Sequence, residues 1–316
     1  RVLFRSGFSS DSIVYAGVGK ADWEIDLALD HDIGMFNCES IPEIQVINER
    51  AGRKNKTARI ALRINPEVDA KTHHYITTGI EENKFGINRE DMPQVVEVCR
   101  QLGNIQLKGL HVHVGSQITD MDVFKGLCLR VNEIKDFFRR EHLELPDINV
   151  GGGLGINYKD PEAGKMPDFG RYFGIFHDFL NLQPGQQLHF ELGRSVTGQC
   201  GRLITRVLYV KEGINTRFAI VDAGMTELIR PALYQAYHKI SALTSNGEKK
   251  KYDVVGPICE SSDYFGKSVD LPELQRGDLL AIHSAGAYGE VMRSNYNLRD
   301  HLNIYYSDDL SQQRKL

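Results

Sequence analysis

The feature that most constrains the fold is an alternation, over residues 1–195, of short apolar runs with longer stretches of helical periodicity. Six runs have the character of strands: Ile13–Gly17, Ile33–Glu39, Arg59–Asn65, Leu107–Val114, Asp147–Gly151 and Leu188–Gly193. The clearest helix between them is Phe124–Phe138, whose apolar residues recur at spacings of three and four. Strand, helix and strand in this rhythm predict a parallel sheet with crossover helices.

The polarity pattern within the strands indicates which kind of parallel sheet this is. Strands of an open sheet that helices cover on both sides are apolar almost throughout. Here Ile60, Leu62 and Ile64 share one face, while Arg59 and Arg63 share the other, and residues 110–114 and 188–193 alternate in the same way. One apolar and one polar face predict an α/β fold of the (β/α)8 TIM-barrel type, with its chemistry at the C-terminal strand ends.

A barrel of this type needs eight strands, so we expect about two βα units to be missing from the front of the chain, which begins with Arg1 and not Met. After about Thr197, β-rich segments replace the helical rhythm: Arg202–Val210, Arg217–Val221, Tyr252–Val255 and Asp278–His283. An Asn-Gly pair opens Asn246–Lys251, a hairpin or loop candidate. These patterns predict an incomplete βα barrel domain at residues 1–197 and an all-β domain at residues 198–316.

Composition excludes several classes of protein. A formal net charge of -4 argues against nucleic acid as a partner. No apolar stretch approaches the roughly 20 residues that a membrane span needs, and the first residues lack the apolar core of a signal peptide. The five cysteines are scattered without a CxxC pair, so we expect neither disulfides nor a metal site. We therefore expect the protein to be located in a reducing cytoplasm. Four of them, all but Cys259, are expected to be small buried hydrophobes.

The predicted barrel mouth carries a candidate functional histidine and two glycine turns that favour a phosphate-bearing ligand. His113 faces the interior at the end of its strand and precedes Gly115-Ser116, a position that favours function over a structural role. Gly151, Gly152 and Gly153 end the next strand, where close approach of the backbone to a phosphate is the usual reason for glycine; a merely tight turn is the alternative. Gly193 and Arg194 end the strand after that and would complete a phosphate cup.

Glu191 points inward just below that cup, where a carboxylate must be paired or protonated. Its partner is either the ring nitrogen of a pyridine cofactor or, structurally, the inward Arg63, and the residues alone favour neither. In the β-rich part, Cys259-Glu260 lies on a loop bounded by Gly and Pro, unlike a core cysteine. An exposed thiol there could donate a proton.

At this point the motifs resemble a known family. They are HVHVGSQ (111–117), NVGGGLG (149–155), ELGR (191–194), VDAGM (221–225), RPALY (230–234), CESSD (259–263), GAYG (286–289), NPEVDAKTHHYITTG (65–79) and NKFGI (83–87). In the order in which they occur along the chain, they resemble the diaminopimelate decarboxylases, in the alanine-racemase-like (fold type III) group of pyridoxal-phosphate enzymes. The resemblance covers nearly the whole chain and implies that the barrel domain binds pyridoxal 5'-phosphate.

The resemblance also implies roles. His113 would stack on the pyridine ring, and Glu191 would keep its nitrogen protonated. Four sites would surround the phosphate: Ser116, the Gly151–Gly153 turn, Gly193 and Tyr288. Arg194, Arg230 and Tyr234 would bind the far carboxylate of the substrate, and Cys259 would protonate the carbanion left after CO2 departs. Cys259 and Glu260 would reach the site of a neighbouring subunit, so a homodimer with shared sites is expected.

The implied substrate has a physical rationale. Meso-2,6-diaminopimelate, decarboxylated to L-lysine in the last step of lysine biosynthesis, carries a second amino-acid group at its far end. Arg194 and Arg230 suit the carboxylate there, Glu260 suits the ammonium, and Tyr288 also lines the substrate. Leu192 stands where the family usually has proline, which removes a fixed φ angle but neither charged group.

A Tyr-Ala-x-Lys-Ala-like motif for the Schiff-base lysine is not found in the chain; Lys20 follows a later strand and is not that lysine. We therefore assign the activity to the intact protein. Two alternatives remain. One is a decarboxylase of another basic amino acid, such as ornithine or arginine, or a racemase, on the same fold; ornithine decarboxylases have Asp where Glu260 stands. The other is a non-catalytic regulatory relative.

Overall fold

The computed structural model describes residues 5–68, 84–163, 167–300 and 302–308. Most of the motif at residues 65–79, and Asn83 of the motif that follows it, lie outside these ranges. The chain forms two compact units, the first made of residues 1–155 and 168–192 and the second of residues 156–167 and 193–316. Among the described residues no helix has both the length and the apolar character to cross a membrane.

The first unit alternates strands and helices. Its elements are β1 (Val14–Tyr15), α1 (Asp22–Asp30), β2 (Met35–Cys38), α2 (Ile41–Arg53), β3 (Ala58–Arg63), α3 (Met92–Gln101), β4 (Ile105–His111), α4 (Asp122–Arg140), β5 (Asp147–Asn149), α5 (Phe169–Phe179) and β6 (Gln187–His189). The six strands form one parallel sheet in sequence order. This order is that of a TIM-type barrel, in which each strand pairs with its predecessor. The six predicted strands are confirmed, each shorter than expected.

The helices cover the apolar face of this sheet. All five residues that define the stripe of α4 are at most 1% exposed: Phe124, Leu127, Val131, Ile134 and Phe138. The helix extends two residues beyond each end of the predicted 124–138. The prediction stopped short because Asp122, Arg139 and Arg140 are polar and Val123 lies outside the repeat of three and four. Helix α5 begins at an N-cap, where the Asp168 carboxylate accepts a hydrogen bond from the backbone N–H of Arg171 at 2.9 Å.

Strand β4 contains an irregularity that the alternation alone did not indicate. Its register against β3 shifts between the pairs Ile60–Leu107 and Ala61–Gly109, so that Lys108 is an extra residue. A bulge of this kind reverses which residues face the core. Leu107 before it and Leu110 after it both pack on the core, although they are an odd number of residues apart.

The polar face of the sheet is also largely buried. Arg63 and Asn65 are 7% and 2% exposed, and Nη1 of Arg63 lies 3.0 Å from both carboxylate oxygens of Glu39. Asn37 on β2 and His111 on β4, the strands on either side of β3, are also buried. A buried polar layer must be hydrogen-bonded or aimed at a ligand, so this layer is the candidate functional face of the unit.

The second unit is built on a mixed sheet. Its elements are α6 (Arg194–Thr197), β7 (Leu203–Glu212), β8 (Arg217–Val221), α7 (Arg230–Tyr234), β9 (Ile240–Ala242), β10 (Lys249–Val255), β11 (Tyr264–Pro272) and β12 (Leu279–Ile282). The strand order is β11-β10-β8-β7-β12-β9, with β8 and β10 parallel and the other pairs antiparallel. The unit has its own core, which includes Val207, Ala219, Val254 and Leu280.

Strands β9 and β11 were missed by the sequence-based reading. Strand β11 contains Gly266, Lys267, Ser268 and Asp270, residues that strands disfavour, and it lies at the edge of the sheet, where charged side chains reach water. Residues 243–248, including the Asn-Gly pair, form a loop between β9 and β10, which do not pair with each other.

Two further expectations differ from the structure. The boundary at 197/198 places residues 156–167 in the first domain, whereas they belong to the second compact unit. Contacts that no local pattern encodes hold them there: Gln199 donates to the Pro161 carbonyl, and Arg202 pairs with Glu162. Cys200 is exposed at the end of a short 3-10 helix, so it is not a buried hydrophobe like Cys38 and Cys128.

Candidate active site

Glu191 follows β6 directly and is surrounded by groups from three other strands. Its Oε1 accepts a hydrogen bond from Nδ2 of Asn149 at 2.9 Å and lies 3.5 Å from Nδ2 of Asn37. Its Oε2 lies 3.7 Å from Nε2 of His111. We call these four residues the glutamate pocket. Every neighbour that contacts the carboxylate can present an N–H, so the pocket favours the ionised form.

The electrostatics of the glutamate pocket follow from this arrangement. Partial burial raises the pKa of the Glu191 carboxyl, but His111 and the Asn149 amide outweigh it and lower the pKa to about 2. Within the described residues, neither ring nitrogen of His111, 2% exposed, has a hydrogen-bond partner, and Oδ1 of Asn37 also lacks one. The glutamate pocket therefore combines an ionised carboxylate with hydrogen-bonding atoms of His111 and Asn37 that have no partner among the described residues. This combination suits the binding of a polar ring.

The structural alternative for Glu191 is not formed. Arg63 makes its ion pair with Glu39, the residue that directly follows the adjacent strand β2, and Gly86 N–H donates to the same carboxylate at 3.1 Å. Lys20 is equally committed: its Nζ donates to the Gly17 and Asn37 carbonyls, both at 2.7 Å, and to Glu43. An ammonium has three protons and all three are used, so Lys20 has a structural role.

His113 and the three glycines meet at the ends of β4 and β5. Gly152 N–H donates to Nδ1 of His113 at 3.3 Å, and burial, together with Arg63 and His111, lowers the pKa of His113 to about 4. A neutral imidazole that accepts at Nδ1 carries its proton on Nε2.

Each of the glycines is required by close backbone approach. A Cβ on Gly151 would lie 2.7 Å from the Val112 carbonyl oxygen, one on Gly152 would lie 2.3 Å from the Glu191 carbonyl oxygen, and one on Gly153 would lie 2.8 Å from that of Gly115. Gly151 and Gly153 also have positive φ angles. The crowding of strand ends thus explains these glycines without a ligand.

Gly193 is different. A Cβ there would meet no described atom within 4 Å, and its φ is -104°, so the described part of the chain does not itself demand glycine. Ser116 lies half-buried in the turn after Gly115. A glycine whose side-chain position is unfilled, beside a short helix that begins at Arg194, is compatible with an anionic ligand close to the backbone.

In the second unit, Arg194 and Arg230 come together around one phenol. Nη1 of Arg194 donates to the Tyr158 hydroxyl at 2.6 Å, and Nη1 of Arg230 donates to the same oxygen at 2.9 Å. Nη1 of Arg230 also donates to Nε2 of His238 at 2.8 Å. We call these four residues the arginine cluster. Both guanidinium groups belong to residues only 6% exposed, and burial lowers the pKa of Arg230.

The remaining predicted residues of this unit lie around the arginine cluster or on a separate loop. The Arg194 guanidinium lies 4.8 Å from the centre of the Tyr288 ring, and Tyr234 ends helix α7, which begins at Arg230. Cys259 and Glu260 are exposed on the loop between β10 and β11. Glu260 Oε1 accepts from the Tyr296 hydroxyl at 2.6 Å, and Cys259 N–H donates to Asn297 at 3.3 Å.

Asp263 holds that loop. Its carboxylate accepts from the backbone N–H groups of Met225 and Ile258 at 2.6 and 2.7 Å, and its backbone N–H donates to the Glu260 carbonyl. Sequence reasoning quoted this residue within a motif but gave it no role. Asn149 was likewise quoted within a motif without a role. The sequence analysis did not identify four further residues, because their importance depends on partners far away in sequence: Asn37, Tyr158, His238 and Tyr296.

Comparison with known proteins gives concordant results. Residues 1–198 match the family model described as "Pyridoxal-dependent decarboxylase, pyridoxal binding domain". The chain is 57% identical to a diaminopimelate decarboxylase of Bacteroides thetaiotaomicron over 98% of this chain and 80% of the relative. It is 44% identical to that of Vibrio cholerae over 95% of this chain and 71% of the relative. A solved variant of diaminopimelate decarboxylase from Helicobacter pylori, complexed with L-lysine, superposes with a TM-score of 0.88 at 38% identity, covering 95% of this chain and 74% of that one.

Proposed function

Because this chain belongs to the diaminopimelate decarboxylase family of fold type III pyridoxal-phosphate enzymes, we propose that it removes CO2 from meso-2,6-diaminopimelate to give L-lysine. The observation that carries the proposal is the arginine cluster. Arg230 is 6% exposed, yet it forms no ion pair with any described residue. A buried cation of this kind calls for an anionic ligand, and the carboxylate that remains on the product is one.

The residues predicted to bind the cofactor fit pyridoxal 5'-phosphate. The Glu191 carboxylate, ionised and surrounded by N–H donors, would accept a hydrogen bond from the protonated pyridine nitrogen and keep it protonated, and the neutral His113 ring would stack on the pyridine. Ser116, the Gly151–Gly153 turn, Gly193, Arg194 and Tyr288 would hold the phosphate. When bound, the cofactor supplies an electron sink for the electron pair that the departing CO2 leaves behind.

The residues of the second unit would bind the substrate and return a proton to it. Arg194, Arg230, Tyr234 and Tyr288 would receive the carboxylate that is not lost, and Glu260 would receive the ammonium beside it. The Cys259 thiol is exposed and would donate the proton that replaces CO2 on the reacting carbon.

We further propose that the protein is a cytoplasmic homodimer with sites shared between subunits. Large apolar side chains near the C-terminus of the described chain support a partner surface: Val291 is 81%, Leu298 91% and Tyr305 67% exposed. Five free cysteines suit a reducing compartment. Lysine formation would place the enzyme at the last step of lysine biosynthesis, with a small amino acid as its ligand and neither nucleic acid nor membrane as a partner.

The decisive experiment measures CO2 release by the full-length natural protein, loaded with pyridoxal phosphate, from meso-diaminopimelate, L-ornithine and L-arginine. We expect turnover of the first substrate alone. Glu260→Asp is the matched variant, since it shortens the acid that would bind the far ammonium, and it should raise KM for diaminopimelate. Turnover of ornithine or arginine in preference to diaminopimelate would contradict the proposal, and inactivity on all three would favour a regulatory relative.

A further inference from the structure

Resting on the proposed function, we propose that Tyr158 is a further substrate-binding residue. Its hydroxyl oxygen holds Arg194 and Arg230 in place, and its hydroxyl proton is donated to the carboxylate that these arginines bind. Tyr158 lies in residues 156–167, the segment that joins the second unit, and it is half-buried.

The hydrogen-bond capacity of the phenol limits what its hydroxyl can bind. A tyrosine hydroxyl accepts through its oxygen and donates a single proton. The oxygen of Tyr158 already receives an N–H from Arg194 at 2.6 Å and one from Arg230 at 2.9 Å. With its acceptor positions taken by two cations, the hydroxyl can bind a further group only as a donor, and none of the described residues accepts its proton.

Tyr158 and His238 also set the orientation of the Arg230 guanidinium. Both protons of its Nη1 are used, one by Tyr158 and one by Nε2 of His238. None of the described residues accepts from Nε or Nη2. These two nitrogens form the edge of a guanidinium that binds a carboxylate through two parallel hydrogen bonds. Tyr158 and His238 therefore leave the bidentate edge of Arg230 available to a ligand.

Further hydrogen bonds and ring packing hold His238 and Tyr158 in place. His238 is 2% exposed, and its Nδ1 is 2.8 Å from the His283 carbonyl oxygen, so the proton is on Nδ1 and Nε2 is the acceptor. His283 N–H in turn donates to Lys239, and its ring lies 2.8 Å from the Ser241 hydroxyl. The rings of Tyr158 and His238 pack edge to face, with centroids 5.0 Å apart. The phenol is thus held on a fixed support.

An anion completes the cluster chemically. Two buried guanidinium groups repel each other, and a neutral phenol between them offers lone pairs but no charge. A carboxylate would neutralise the pair and accept the hydroxyl proton. An ammonium or an apolar group would satisfy neither need, so among the groups of the proposed substrate it is the retained carboxylate that Tyr158 would contact.

The test compares two ligands that differ only in that carboxylate. Inhibition constants of L-lysine and L-lysinamide are measured in wild-type holoenzyme and in Tyr158→Phe, together with kcat and KM for meso-diaminopimelate. Because a hydrogen bond to a charged group is lost, we expect L-lysine to bind about tenfold more weakly. Lysinamide should be affected little, and KM should rise far more than kcat falls. The phenyl ring preserves the packing on His238.

Tyr209→Phe is the control, because Tyr209 is an exposed tyrosine of β7 whose ring also lies beside an arginine, Arg276. It should behave as wild type. Equal weakening of both ligands by Tyr158→Phe, or no change in either, would overturn the role given to Tyr158. A wild-type protein that releases no CO2 from diaminopimelate would instead refute the proposed function, so the two failures are distinguishable.

Discussion

At the scale of single residues, the glutamate pocket shows how neighbours set the charge of a carboxylate. Among the described residues, the Glu191 carboxylate forms no ion pair with a lysine or an arginine. It is contacted by two side-chain amides and an imidazole. Such an environment keeps the carboxylate ionised without neutralising it through a guanidinium. Arg63, which could have done so, is bound to Glu39. The ionised oxygen thus remains available to a ligand that brings its own N–H.

Replacing Glu191 with glutamine should therefore abolish most of the activity. A neutral amide cannot hold a pyridinium proton, and we expect kcat to fall by at least about 100-fold. The measurement is steady-state CO2 release, accompanied by the absorbance spectrum of the bound cofactor. Glu212→Gln, at an exposed carboxylate paired with Arg217, serves as the control. Near-normal turnover in Glu191→Gln would exclude the assigned role.

His238 predicts a pH dependence of stability. Burial, with Arg230 and Arg194 nearby, lowers its pKa from 6.5 to about 4, although its hydrogen bond to the His283 carbonyl acts in the opposite direction. Between pH 6.5 and 4, His238 therefore binds a proton in the unfolded chain but stays neutral in the folded protein. The free energy of unfolding should fall on acidification from pH 6.5 to 4, with His238 contributing on the order of 3 kcal/mol.

Urea unfolding of the wild type and of His238→Gln at pH 7.5 and 5 measures this contribution. Glutamine keeps an acceptor for Arg230 but has no titratable group, so the variant should lose less stability between the two pH values than the wild type loses. Identical losses would show that His238 is not the group responsible.

Many residues of the candidate site could be predicted from the sequence, and those that could not be predicted share one reason. His113, Glu191, Arg194 and Arg230 could be predicted because each belongs to a recognisable local motif. Tyr158 and His238 could not, since a phenol and an imidazole acquire their roles only from arginines distant along the chain. Three glycines were predicted for a phosphate, and the structure gives them a second reason in the crowded ends of neighbouring strands.

At the scale of elements, the loop between β10 and β11 depends on one buried carboxylate. Asp263, 4% exposed, accepts the N–H groups of Ile258 within the loop and of Met225 outside it. Local sequence could predict β10 from Tyr252 onward but not β11, whose Gly and Lys residues are tolerated at a sheet edge. The pairing partner, not intrinsic preference, makes that segment a strand.

Asp263→Ala should destabilise the protein and misplace Cys259. Two buried N–H groups would lose their acceptor, at a cost of about 2–5 kcal/mol. We expect a lower urea midpoint and a reduced kcat. Asp263→Asn, which keeps one acceptor oxygen, should lose less on both measures. If Asp263→Ala matched the wild type in stability, the loop would have to be held by other contacts.

At the scale of the whole molecule, shared sites would make two inactive proteins complement each other. Cys259→Ala and Glu191→Gln homodimers should each turn over slowly. After subunit exchange in an equal mixture, half of the dimers would be mixed, each with one intact site. Activity should then recover to about one quarter of the wild-type value. No recovery, under conditions where mass spectrometry detects mixed dimers, would contradict sharing.

The path of the chain between its two units limits how this protein can be dissected. Residues 156–167 leave the first unit to join the second, and the chain then returns for 168–192. A fragment that starts at residue 198, where composition changes, would carry Arg230 and His238 without Tyr158 or Arg194. Gly198 would also lose Ile156, against which it packs. Expression of the second unit alone therefore requires residues 193–197 and a graft of residues 156–167, and a simple truncation at residue 198 would leave Arg230 with His238 but without Tyr158.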